Sequence, residues 1–264
     1  MNRKELRQVI NFGSHVAVEA GRILKKGIAR KVKVKFKGII NPVTEFDIKA
    51  ERHIVASINK AYPEHSIMGE EGGRNKRVSE YCWIIDPLDG TVNYSHNFPV
   101  YAVSIGLQKN GEAIAGFVCD PERDELFWAV KGWGAYLKKE KIRVSRERKL
   151  LRSLLSTGFA YDVRTARRNN LGMFARMTKK AQAVRRSGSA ALDLSWVACG
   201  RLDGYWEYGL CPWDTAAGIV IVEEAGGKIS RIGGGNFSVF NDNIVASNGH
   251  IHRQIQSVLT LTRK

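Results

Sequence analysis

Cysteine is scarce in this chain of 264 residues, and none of its four copies belongs to a Cys-x-x-Cys pair. Cys82, Cys119, Cys199 and Cys211 stand far apart, each in an apolar stretch. That spacing excludes a zinc ribbon and argues for reduced core thiols in a cytoplasmic protein. Six prolines are too few for a disordered Pro-rich chain. No run of about 18 apolar residues occurs, so no membrane-spanning helix is expected. Met1–Lys26 lack the continuous apolar core of a signal peptide. Internal repeats and low-complexity tracts are also missing. The sharpest deficit is acidic: 26 Asp and Glu stand against 42 Lys and Arg, a formal net charge of +16. Such a chain concentrates anions, whether phosphorylated metabolites, nucleic acid or an acidic membrane surface, and charge alone does not choose among them.

The length and an apolar content of 44% suit one large domain or two closely packed lobes. Apolar residues at helical spacing predict a helix over 4–28. Lys31–Lys37 then alternates lysine with apolar residues, the pattern of a half-buried strand with a basic outer face, which Asn41-Pro42 should end. A helix over 45–61 follows. Short strands are predicted at Ser66–Met68, Tyr81–Ile85, Ala102–Leu107, Ala113–Cys119, Glu125–Val130 and Gly134–Leu137, giving two helices on a mainly antiparallel sheet. The Arg-rich stretch Arg143–Arg152 marks the expected boundary between sub-lobes of about 1–145 and 146–264. Beyond it, strands at Leu154–Thr157, Gly204–Glu207, Gly227–Arg231 and Asn243–Ala246 alternate with helices at Thr165–Lys180, 190–199 and 215–225, an α/β pattern.

The chemistry concentrates in Trp83-Ile84-Ile85-Asp86-Pro87-Leu88-Asp89-Gly90-Thr91. An apolar strand delivers Asp86, Pro87 fixes φ, and Asp89-Gly90 makes a tight turn. Two carboxylates pinned three apart would repel unless a cation lies between them or one is protonated. As hard oxygen ligands they favour Mg²⁺ or Mn²⁺ over zinc. Taken alone, the segment also reads as a simple β-turn after a strand. Gly69-Glu70-Glu71-Gly72-Gly73 adds two acids at a strand end. Pro212-Trp213-Asp214-Thr215-Ala216-Ala217-Gly218 sets Asp214 at the expected N-cap of an apolar helix. No Cys-x5-Arg loop or His pair is present to form a covalent phosphoenzyme, whereas paired metal ions activate water and stabilise a leaving alkoxide.

Together these segments closely resemble the inositol monophosphatase family, within the lithium-sensitive, Mg²⁺-dependent phosphatase superfamily, and its bacterial branch best. The signatures are Trp83 to Thr91 with Asn93-Tyr94, Trp213-Asp214 to Gly218, and Gly69-Glu70-Glu71, with matches from Asp47 to Asn248. The resemblance implies a layered αβαβα sandwich, a homodimer, and two or three Mg²⁺ ions, with Mn²⁺ as a substitute. It implies that Glu70, Asp86 and the Leu88 carbonyl hold a first ion. Asp86, Asp89 and Asp214 would hold a second, and Glu70 a weaker third through water, with Glu71 standing behind them. Gly90 and Thr91 would offer N–H groups to phosphate, and Thr91 with Asp47 would orient water. Gly188, Ser189 and Ala190 would line the substrate pocket, where Glu207 accepts hydrogen bonds from substrate hydroxyls. Val92 and Ser189 replace the Thr frequent at those positions, and neither change removes a needed ligand or donor.

The implied reaction is hydrolysis of inositol monophosphate to myo-inositol and phosphate. Fructose 1,6-bisphosphate, 3′-phosphoadenosine 5′-phosphate, NADP and histidinol phosphate are the alternatives within the superfamily. Lys33 to Lys37 would steer anions inward, and Arg185 would contact a second phosphate. A non-enzymatic alternative is an RNA-associated regulatory protein, since basic charge alone gives non-specific nucleic-acid affinity. Against it, the basic runs carry no interleaved aromatics. A catalytically dead scaffold is disfavoured because every expected ligand is present.

Overall fold

The computed structural model describes residues 1–28, 34–37, 41–74, 77–167 and 169–261. The first half runs α1 (Arg3–Ile28), β1 (Val34–Lys37), β2 (Asn41–Thr44), α2 (Glu45–Ala61), β3 (Ser66–Gly69), β4 (Gly73–Arg74), β5 (Tyr81–Asp89), α3 (Thr91–Ser95) and β6 (Ala102–Lys109). It continues through β7 (Glu112–Asp120), β8 (Glu125–Val130), β9 (Gly134–Leu137) and β10 (Glu140–Lys141). After a 3₁₀ turn at Leu150–Arg152 come β11 (Leu154–Thr157), α4 (Leu171–Thr178), β12 (Ala183–Arg185), α5 (Ala190–Ala198) and β13 (Gly204–Tyr208). The chain closes with α6 (Pro212–Glu224), β14 (Lys228–Ser230), β15 (Asn243–Ser247) and α7 (His252–Leu259).

Two large sheets and three helical layers result, with β1 and β2 forming a separate two-stranded ribbon. The larger sheet has the order β10-β9-β8-β7-β6-β5-β3-β4 and is antiparallel except at β3–β5. The smaller has the order β12-β11-β13-β15-β14 and mixes both senses. Helices α1 and α2 bury Val16, Leu24, Ile54 and Ile58 against one face of the larger sheet, around Trp83 and Phe117. Helices α5 and α6 fill the space between the sheets with Leu192, Leu194, Val197, Val220 and Ile221. Helix α7 lays Ile255 and Val258 on the outer face of the smaller sheet beside Met177 of α4. The order helix, sheet, helix, sheet, helix is the predicted αβαβα sandwich.

Glycines set how closely α6 approaches the larger sheet. A Cβ at Gly116 would lie 2.2 Å from the Ala217 carbonyl oxygen, and one at Gly106 would lie 2.7 Å from the Ala216 Cβ. Only bare backbone on β6 and β7 admits the helix at this distance. Gly116→Ala would therefore push α6 outward, and a loss of about 1–3 kcal/mol is expected from overpacking of this kind. Urea denaturation read by circular dichroism measures it; an unchanged midpoint would mean the helix tolerates the shift.

Four sequence expectations need correction. Asn41-Pro42 does not end the strand but starts β2, which pairs with β1 so that Pro42 faces Phe36. In a two-stranded ribbon half of the backbone groups face no partner, so a proline is tolerated there. Residues 31–33 of the Lys31–Lys37 pattern lie outside the described residues. The predicted helix over 165–180 begins only at Leu171. The buried Asn170 explains the delay: its side-chain amide donates to Thr157 Oγ1 and the Gly158 carbonyl, and its Oδ1 accepts from Trp206 Nε1 at 2.6 Å. Helix α6 starts at Pro212 rather than 215, so Asp214 is its third residue and not its N-cap. Its Oδ2 accepts the N–H of the N-cap residue Cys211 at 2.6 Å. Helix α7 was not predicted, although Ile251, Ile255, Val258 and Leu259 repeat at helical spacing.

Candidate active site

A regular strand would send Asp86 and Asp89 to opposite faces, because side chains alternate with a period of two. β5 breaks that rule. Asp86 pairs with Ser104 and Asp89 with Ala102, so three steps on β5 match two on β6. The extra residue of this bulge, in the Pro87-Leu88 segment, turns both carboxylates toward one point. The Leu88 N–H donates to Asp86 Oδ1 at 2.9 Å and fixes its rotamer. Gly90 then takes φ 92°, and a Cβ there would meet the Val100 carbonyl oxygen at 2.9 Å.

Asp214 completes the group from the first turn of α6. Oxygens of Asp86, Asp89 and Asp214 lie within 4.8 Å of one another. Glu70, at the end of β3, donates its N–H to the Ile85 carbonyl at 3.3 Å and lines the same cavity. Burial pushes Asp86 well above the usual carboxylate range, and Glu70, Asp89 and Asp214 push it further. Asp214 rises too, from burial and then Asp89. Asp89 rises only to about 6, because hydrogen bonds from Ser189 and Ala191 oppose its burial. Burial raises all three, and repulsion between neighbours adds to it at Asp86 and Asp214. An all-oxygen set of this kind fits a hard divalent cation.

The opposite wall is the start of α5. Ser189 Oγ donates to Asp89 Oδ2 at 2.6 Å and the Ala191 N–H donates to the same oxygen at 2.7 Å. Asn93 Nδ2 donates to the Ser187 and Val100 carbonyls, tying α3 to this loop. Glu207 on β13 accepts from the Tyr205 hydroxyl, and burial raises its carboxyl to about 7. Under the loop, Ser187 Oγ donates to Asp193 Oδ2 at 2.7 Å, while Asp193 Oδ1 is buried without a partner.

A cavity of about 130 Å³ joins these walls. Glu70, Asp86, Leu88, Asp89, Gly90, Thr91, Gly188, Ser189, Ala190, Glu207 and Asp214 all line it, whereas Asp47, Glu71 and Arg185 do not. Asp47 lies behind it. One of its oxygens caps α2 through the Thr44 N–H, and the other is 3.5 Å from Thr91 Oγ1. Thr91 Oγ1 donates to the Leu88 carbonyl at 2.9 Å, and burial raises Asp47 to about 6. Glu71 stands away from the cavity, with its N–H on Glu51. Arg185 is exposed and turned to the Val184 carbonyl, outside the cavity lining; its neighbour Arg186 lines it instead. Sequence reasoning also missed Phe159, Tyr161 and Asp193. The 158–161 loop carries no motif, and Asp193 reads as an ordinary residue of an apolar helix. The four cysteines are free thiols, and Cys119 is pushed up to about 12 by burial.

A layered α/β fold whose buried carboxylates gather from distant segments on one small cavity defines a class, the metal-dependent phosphatases. Residues 5–262 match the inositol monophosphatase family, and the chain belongs to that family. It is 48% identical over 221 residues to an inositol-1-monophosphatase of Synechocystis sp., covering 83% of this chain and 77% of the other. It is 41% identical over 250 residues to a Nus factor SuhB of Pseudomonas aeruginosa, covering 92% of each. The solved structure of an inositol monophosphatase from Anabaena (Nostoc) sp. superposes with a TM-score of 0.89 at 42% identity, covering 97% of this chain and 96% of the other. The protein is a phosphatase. Among the described residues no helix is long and apolar enough to cross a membrane.

Proposed function

We propose that the protein hydrolyses inositol monophosphate to myo-inositol and phosphate. The observation that carries this reading is the convergence of Asp86, Asp89 and Asp214 with Glu207 on one cavity. Glu70, Asp86, Asp89, Asp214 and the Leu88 carbonyl are assigned to two or three Mg²⁺ ions, with Mn²⁺ as a substitute. Such ions, when bound, lower the pKa of water and neutralise charge on a leaving alkoxide. The chain's own groups then have separate tasks. Asp47 and Thr91 orient the attacking water, with the Asp47 carboxylate as the acceptor. Backbone N–H groups of Gly90 and Thr91 hold the phosphate. Ser189 and Ala191 lock the Asp89 carboxylate through the two hydrogen bonds already described. Glu207, with Gly188 and Ala190 around it, accepts hydrogen bonds from substrate hydroxyls.

The larger sheet ends at Lys141 and the smaller begins at Leu154, which supports sub-lobes of about 1–145 and 146–264. Free thiols support a cytoplasmic protein, and the family resemblance supports a homodimer and lithium sensitivity. Nucleic-acid contact is a secondary reading, supported by the +16 net charge.

Phosphate release from inositol 1-phosphate tests the function. Turnover is expected with Mg²⁺ and none with excess chelator. Release indifferent to chelator would overturn the metal assignment, and release from other phosphomonoesters but not this one would overturn the substrate.

A further inference from the structure

The turn Gly69-Glu70-Glu71-Gly72-Gly73 is closed at its ends by strand pairing, Met68 with Arg74 and Gly69 with Gly73. Its two acids face different spaces. Glu70 lines the active-site cavity, and Glu71 lines a cleft of about 930 Å³ between the turn and α2. The turn is a wall with open space on both sides, so packing alone does not fix where Glu70 stands. The side chain that reaches its tip is Glu51 of α2, which is 6% exposed. Glu51 Oε2 accepts the Glu71 N–H at 2.9 Å, and Oε1 accepts the Gly72 N–H. Consecutive N–H groups closing on one carboxylate form a small anion cradle, and bonds to a charged acceptor are strong. The glycines make room for it. A Cβ at Gly72 would lie 2.5 Å from Glu51 Oε1, and one at Gly69 would lie 2.9 Å from the same oxygen.

These bonds act on Glu70 through its backbone. The Glu71 N–H lies in the rigid peptide plane that leaves the Glu70 Cα, so Glu51 sets ψ at Glu70. The plane that enters Glu70 is held by its own N–H on the Ile85 carbonyl at 3.3 Å. With both planes held, the Glu70 side chain starts from one fixed direction, into the cavity. Glu51 itself does not line that cavity. We propose that Glu51 is the positioning residue for Glu70, a carboxylate outside the active site that sets metal affinity by gripping the backbone on which the metal-binding acid stands. This deepens the phosphatase reading and rests on the assignment of Glu70 to a metal ion.

Calorimetric titration with Mn²⁺ tests it without turnover, on wild type, Glu51→Gln, Gly72→Ala and the double variant. Glu51→Gln turns an amide nitrogen toward one of the two N–H groups. Gly72 does not hold a positive φ, so alanine fits the backbone there, and among the described residues its methyl would meet Glu51 alone. Each single variant should weaken Mn²⁺ binding about ten-fold, the scale for an outer partner of a metal ligand. The double variant should bind no more weakly than the worse single one, because both break one contact. Ile58→Val trims the buried core two turns along the same helix; it should melt earlier and bind Mn²⁺ like wild type. In phosphate release, the Mg²⁺ concentration for half activation should rise in Glu51→Gln, while KM for the ester at saturating Mg²⁺ stays put. Wild-type affinity in Glu51→Gln, losses that add in the double variant, or an equal loss in Ile58→Val overturns the proposal. Glu70→Gln separates it from the assignment beneath it. If Glu70→Gln weakens Mn²⁺ binding and Glu51→Gln does not, the role of Glu51 alone fails. If Glu70→Gln binds Mn²⁺ like wild type, the metal assignment fails and the role of Glu51 falls with it.

Discussion

Replacing Asp86 with Asn is expected to lower kcat/KM on a phosphomonoester by a factor of about 10³ or more, since metal assistance supplies several kcal/mol and each 1.36 kcal/mol is a factor of ten. The same substitution is expected to raise the thermal unfolding midpoint of the metal-free protein. The two effects have one cause. Asp86 is 1% exposed, and Glu70, Asp89 and Asp214 all act on it unfavourably. An amide of the same shape keeps the Leu88 N–H bond through its oxygen and removes the charge from the cluster. Function here is held at the expense of stability, as at many active sites. Phosphate-release assays and scanning calorimetry on metal-free protein give both numbers. A variant that lost activity and also melted earlier would show that the carboxylate props up the fold, and the charge-cluster reading would fail.

Stripping the metal should also make stability fall as pH rises. Asp47 and Asp89 are raised from 3.8 to about 6, and Glu207 from 4.5 to about 7. Asp86, Asp193 and Asp214 are raised further by burial. Between the unfolded and folded values the folded state holds more protons, so unfolding becomes easier as pH increases through that window. A raise of about two units corresponds to about 3 kcal/mol. Asp86 and Asp89 share their protons, so the steps belong to the cluster and not to single residues. His252 works in the opposite sense: burial pushes it down to about 4, and its contribution is lost as pH falls from 6.5. His65, also lowered by burial, adds to it, but two histidines oppose these six raised carboxyls, so the net loss from pH 5 to pH 8 should be several kcal/mol. Saturating Mg²⁺ should reverse it, because cation binding requires the ionised carboxylates and stabilises only the folded state. Urea titrations across this range, with and without Mg²⁺, measure the effect. Metal-free protein that grew more stable toward pH 8 would show that these acids do not share an uncompensated site.

Periodicity made most of the fold legible. The apolar stripe of α1 and the short apolar runs of β6 to β9 place these elements within a few residues of their ends. What failed was decided by single polar contacts. Asn170 delays α4 by bonding Thr157 and Trp206, and no local pattern announces a partner 36 residues away. Helix α6 begins early because Pro212 is tolerated in a first turn, which moved Asp214 from cap to third residue. At the site, the acidic ligands were legible because acids in apolar surroundings need a reason. Of the Arg185-Arg186 pair leading into the Gly188 segment, one is expected at the pocket, and it is Arg186, just past the end of β12, and not Arg185 that lines it. The bulge that turns Asp86 and Asp89 together is a register effect and appears only once β6 is paired.

The middle helical layer bears on how the chain is made. The larger sheet is complete at Lys141, and α1 and α2 already cover one of its faces. Its other face, with Val118, Phe127 and Ala129, is covered by α5 and α6, which lie some fifty to eighty residues further on. During synthesis, at about 5–20 residues per second, that apolar face stands bare for several seconds. In the same interval Asp86 and Asp89 have neither Ser189 nor Asp214 beside them. A ribosome stalled before α6 would therefore display a sticky half-sandwich with no phosphatase site, and the nascent chain gains its protection from aggregation and its catalytic acids in the same docking event.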